Sequence, residues 1–165
     1  MKKIIIGFSK TDQIFSKAIM CLEDIDFSHV YFNFYSESLE RNIIYHASFF
    51  NGVSFINKER FLEVSEIVHE VEIQYTDEEY KKLMQYMIDK AGIKYGKLQI
   101  LGMGLSRVLR KIGIKIANPV KDGSLTQVCS EIVGEGLKRK GLIDKSVDFE
   151  EEGPGYIYNA IKNKR

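Results

Sequence analysis

Apolar and polar positions change period several times along this chain. Lys3 to Phe8 is a nearly continuous apolar run and predicts a short buried strand. Gly7 to Asp12 supplies turn and helix-capping residues, and Gln13 to Glu23 then carries Ile14, Ala18, Cys21 and Leu22 at helical spacing. Ser28 to Tyr35 is aromatic and β-branched and predicts a strand, with His29, Tyr31 and Asn33 on one face and Val30, Phe32 and Phe34 on the other, the expected core side. After a polar loop over 36–41, Asn42 to Ser48 predicts its antiparallel partner. If paired residue numbers across this hairpin sum to an odd value, His29 and His46 share a face.

Asn51-Gly52 reads as a turn, 53–56 as a strand, 57–64 as a helical turn and 67–73 as another strand. Thr76 and Glu79 have capping-box spacing before a helix whose stripe is Tyr80, Leu83, Met84 and Met87. Lys94-Tyr95-Gly96 is a connector. Leu98, Leu101, Leu105, Val108 and Ile112 line one side of the next expected helix. Such a stripe ordinarily packs on a core. With Arg107, Arg110, Lys111 and Lys115 beside it, the segment 98–116 is also a candidate for touching a membrane surface or an acyl chain. A loop over 118–123 precedes a helix running to about Arg139, with Ser124 or Thr126 as its cap. Strand, helix, a run of strands and then helices make an α+β pattern, expected as one domain over 1–165.

Composition narrows the function. The 24 basic and 23 acidic side chains leave a net charge of +1, which gives no electrostatic footprint for nucleic acid. The apolar run after Lys2-Lys3 ends too early for a signal peptide, and no stretch reaches membrane-spanning length, so the expected residence is cytoplasmic. There, Cys21 and Cys129 remain thiols. No Cys/His cluster has zinc spacing, so neither a metal nor another cofactor is expected.

Cys21 falls on an apolar stripe and reads as a small buried hydrophobe. Cys129 falls near a helix start, where unpaired N–H groups and the helix dipole favour a thiolate; it also shares a face with Ile132, Val133 and Gly136, which suits a core position. A thiol nucleophile needs a base, and the base needs an orienting partner. His29 and His46 stand on adjacent predicted strands, while His69 reads as a surface residue.

Several of these segments together resemble a known superfamily. Ser28-His29-Val30-Tyr31-Phe32 is similar to the histidine strand of the circularly permuted papain-like (NlpC-type) cysteine amidases and peptidases. Ile44-Tyr45-His46-Ala47 resembles the next strand, Lys94-Tyr95-Gly96 the connector, Val128-Cys129-Ser130-Glu131 the nucleophile box, and Pro154 with Tyr156 the closing motif. The superfamily includes proteins similar to lecithin retinol acyltransferase. The resemblance implies a central antiparallel sheet or half-barrel packed against helices. It implies Cys129 as nucleophile, His29 as base and His46 as orienting group, acting on a peptide, amide or lipid-ester substrate through an acyl-enzyme. Tyr31 and Ser130 are further candidates for lining the site or stabilising an oxyanion, against packing for Tyr31 and a capping or solvated role for Ser130. A lipid acyltransferase or thioesterase, and a silent binding module, remain alternatives.

Overall fold

The computed structural model describes residues 1–111, 113–114, 116–117, 119 and 126–164. It is a mixed α+β structure. Its elements are β1 (Lys2–Lys10), α1 (Ile14–Glu23), β2 (His29–Ser36), β3 (Arg41–Ser48), β4 (Gly52–Asn57), α2 (Lys58–Leu62), β5 (Glu66–Tyr75), α3 (Asp77–Lys90), β6 (Lys94–Tyr95), α4 (Lys97–Lys111), β7 (Thr126–Gln127), α5 (Cys129–Lys140) and α6 (Pro154–Ile161). Five strands form an antiparallel sheet in the order β4-β3-β2-β1-β5, and β6 pairs in parallel with β7. No helix among the described residues is long and apolar enough to cross a membrane. The expected loop over 118–123, apart from Pro119, and the candidate cap Ser124 lie outside the described residues, as do Ile112 and Lys115.

The sheet is covered on both faces. Ile4, Ile6, Phe8, Val30, Phe32 and Tyr45 pack with Leu83 and Met87 of α3, Ile132 and Val133 of α5 and Ile157 of α6 in the main core. Helix α5 approaches closely because it presents glycine: a Cβ on Gly136 would lie 2.7 Å from the Phe32 ring. The opposite face carries a smaller cluster of Tyr31, Ile44 and Phe61, the last from α2. Tyr31 fits there by lying across Gly7, its cross-strand neighbour on β1, where any side chain would overlap the ring.

Local chemistry sets the helix starts. Thr76 Oγ1 accepts from the Glu79 N–H while Glu79 accepts from the Thr76 N–H, completing the expected box on α3. Asn57 caps α2 by accepting from the Arg60 N–H. Helix α5 begins later than expected: Thr126 lies in β7, and Val128 is the residue at the cap position.

Two helical stripes face the other way from expectation. On α1 the buried residue is Ser16, and Cys21 is exposed rather than buried in the core. On α4, Leu98, Leu101, Leu105 and Val108 are 61%, 55%, 51% and 47% exposed, while Gly102 and Ser106 are buried. Small residues thus face inward and the leucines outward, the reverse of a core-packing stripe. His69 is half-buried rather than free on the surface: it stacks on Tyr158 and meets the Phe27 ring edge-on.

Candidate active site

Strands β2 and β3 bring the two histidines together. Phe32 lies opposite Tyr45 and Asn33 opposite Ile44, so paired numbers do sum to an odd value and the histidines are diagonal neighbours on one face. His29 Nε2 lies 3.2 Å from His46 Nδ1, with the rings nearly perpendicular. Phe61 packs edge-on against His46 and closes the site from below. Burial pushes the His29 imidazole down to about 3, with a smaller contribution from the neighbouring His46. Burial alone takes His46 down to about 4. Near neutral pH both rings are therefore uncharged, and the bond between them is a single shared N–H···N.

Cys129 is the first residue of α5 and is only 5% exposed. The position follows from the local sequence. Strand β7 pairs with β6 as far as Gln127, which pins the chain just before Val128. Valine has no side-chain acceptor, so the first-turn N–H groups are not capped by it. Glu131 instead reaches back to accept from the Val128 N–H at 2.7 Å. The backbone N–H groups of Val30, Ser130 and Cys129 itself act on the Cys129 sulfur in the direction that favours its thiolate. Burial outweighs them, and the carboxylate of Glu23 adds to it, so the thiol is pushed up to about 11. Near neutral pH the Cys129 thiol is therefore uncharged, as both imidazoles are.

The Val30 contact ties the thiol to the histidine strand, because Val30 directly follows His29. Two clefts meet there. One, of about 450 Å³, is lined by His29, His46, Phe49 and Phe61. The other, of about 320 Å³, is lined by Val128, Cys129 and Ser130 at one end and by α1 and α4 along its length. They share Phe15, Ile19, Ser28, Tyr95 and Ile100 as walls. Among the described residues no hydrogen bond joins the sulfur directly to either histidine.

Ser130 is buried and lines the second cleft. Tyr31 lines neither: it is fully buried beneath the histidines against Gly7 and Phe61, which is a packing position. Tyr95 gains a role that its place in a connector did not indicate. Its hydroxyl is held well above the ordinary phenol range by burial and, to a lesser degree, by the nearby Cys129 and Glu131. Ser28 is a second such residue, its Oγ 2.6 Å from Ser16 Oγ inside the shared wall. A further contact had no sequence signal: Arg107 Nη1 donates to Glu23 Oε1 at 2.6 Å, and the Gly155 N–H donates to Glu23 Oε2 at 3.0 Å. This half-buried clamp joins α1, α4 and α6 behind the second cleft.

No group of three or more His, Cys, Asp and Glu side chains among the described residues is arranged to hold a metal ion. No protein-family model matches the chain, and no curated protein matches it either. Among solved structures, the chain is similar to the metalloprotein YiiX from Escherichia coli O157:H7, a DUF1105 protein. The TM-score is 0.59 at 15% identity, covering 99% of this chain and 82% of that one. At that identity the likeness concerns the fold.

Proposed function

We propose that this chain is a cysteine-dependent acyl-transfer hydrolase of the permuted papain-like type, with Cys129 as nucleophile, His29 as base and His46 as orienting group. The observation that carries the reading is the position of Cys129. It opens helix α5 in a cleft that shares a wall with the histidine cleft, where the His29 ring is tied through Nε2 to His46.

The chemistry follows from these groups. His29 keeps its proton on Nε2, donated to His46 Nδ1, and this leaves Nδ1 as the basic nitrogen. As the sulfur attacks the carbonyl carbon of an amide or ester, the thiol proton passes to His29. The charged imidazole forms only during the reaction, and its Nε2–H bond to His46 holds the ring in place. The N–H groups of Cys129 and Ser130 are the oxyanion donors. The tetrahedral intermediate collapses, and His29 protonates the departing amine or alcohol. Water, deprotonated by His29, then attacks the acyl-enzyme, releasing the acid and restoring the thiol. Amide or ester plus water gives acid plus amine or alcohol, with no other reactant.

Turnover of p-nitrophenyl esters and of acyl amides tests this. Cys129→Ala should abolish it in a folded protein and His29→Ala nearly so, while Cys21→Ala leaves it unchanged. Loss of activity in folded Cys21→Ala would move the chemistry to the other thiol.

One observation favours a lipid ester or N-acyl amide over a peptide. The cleft that ends at Cys129 is walled by Ile14, Phe15, Ala18, Leu101, Leu105 and Val108, which offer an extended chain almost no hydrogen-bonding group. Gly104 lies in this wall with Leu22 3.8 Å from a would-be Cβ. Gly104→Leu should therefore slow a long-chain ester by about tenfold and spare an acetyl ester. Equal effects on both would return the peptide reading.

A further inference from the structure

The outward leucines of α4 need a physical reason. Leu98, Leu101, Leu105 and Val108 form one exposed stripe. Across the groove α1 adds Ile14, 83% exposed, and Phe15. Phe15 stacks on Phe49, which meets exposed Phe50, so the apolar surface continues past the mouth of the histidine cleft. Lys97 lies over the Phe49 ring, 4.4 Å from its centroid, at the edge of this surface. A contiguous surface of this kind marks an interaction site.

Charge selects the partner. Residues 97–121 contain six Lys and Arg and no Asp or Glu. The rest of the chain carries 18 basic and 23 acidic side chains, so the positive charge is concentrated in this segment. Helix α1 has no acid in its first turn, and Glu23 at its end is paired with Arg107. A two-fold contact with a second copy would set the same cationic segment against itself. A nucleic acid would meet leucine where it needs polar groups. Leucine outward along α4 and phenylalanine beside it on α1, with Lys97 and Arg110 on α4 and no acid within that helix, is the pattern of a surface lying in a membrane interface.

We propose that the α1–α4 face docks on an anionic lipid surface, with Leu98, Leu101, Leu105, Val108, Ile14 and Phe15 entering the acyl boundary. The helices lie on the bilayer and do not span it. Docking would turn the open side of the groove to the lipid. The inference rests on surface shape and charge, and it stands apart from whether Cys129 is a nucleophile.

The full chain has no tryptophan, so a single one reports cleanly. Leu98→Trp should shift its emission to the blue when vesicles of phosphatidylcholine with phosphatidylglycerol are added, and Ile88→Trp, equally exposed on α3, should not. The unmodified protein should sediment with these vesicles, less at high salt and at least about tenfold less strongly with pure phosphatidylcholine. Leu98→Glu with Leu105→Glu should weaken sedimentation by about tenfold or more while the far-ultraviolet circular dichroism stays unchanged; if that variant misfolds, the tryptophan pair decides. No sedimentation with anionic vesicles, equal binding to both lipids, or an equal shift at Leu98 and Ile88 would overturn the proposal. So would a dimer of the unmodified protein that the Leu98→Glu, Leu105→Glu variant dissociates.

Discussion

His29 Nε2 and His46 Nδ1 lie 3.2 Å apart and share one proton between two rings that burial keeps uncharged. The pair divides the labour of the site unequally. His29 takes the thiol proton, and His46 holds the ring that takes it. His29→Ala should lower kcat by about 10²–10⁴-fold, the usual range for a lost general base. His46→Ala should lower it by less and leave KM nearly unchanged, as measured by steady-state ester hydrolysis. A larger loss from His46→Ala would exchange the two roles.

The buried thiol makes a prediction about reactivity. Because the Cys129 thiol is pushed up to about 11, its alkylation by iodoacetamide should rise about tenfold per pH unit above neutrality, with no plateau before that value. Peptide mapping separates Cys129 from exposed Cys21. A plateau near pH 6 would mean a preformed thiolate–imidazolium pair.

The histidines also make stability depend on pH. Their folded values, about 3 and about 4, lie below the ordinary 6.5, so the unfolded chain binds protons that the folded chain does not. Their stabilising contribution is full above about pH 6.5 and is lost as the pH falls toward those values. Thermal unfolding should show Tm falling steeply from pH 6 to pH 4. His46→Asn should flatten that slope. An unchanged slope in the variant would show that other groups set it.

Much of the sheet was legible because its signals are local. Alternation along β2 placed Val30, Phe32 and Phe34 in the main core, and odd pairing put His29 beside His46. The Thr76–Glu79 box marked α3 through side chains three residues apart. Helical periodicity revealed the stripes of α1 and α4 but not which side they face. That depends on what packs against them, and here Ser16, Gly102 and Ser106 take the inner positions. Strands β6 and β7 have two residues each, too few for any pattern, yet they set where α5 begins. The Glu23–Arg107 clamp joins residues 84 apart, and the shared wall of Ser28 and Tyr95 is assembled from separate elements. Tertiary contacts of this range leave no local trace.

The central claim is that Cys129 carries the acyl group between substrate and water. Intact-protein mass spectrometry on acid-quenched reactions with an activated acyl ester tests it most directly. One added acyl group should appear within the first turnover, map to the peptide containing Cys129, decay as product forms, and be absent from Cys129→Ala. Turnover with no mass increase at that residue, or an acyl group found instead on Cys21, would contradict it.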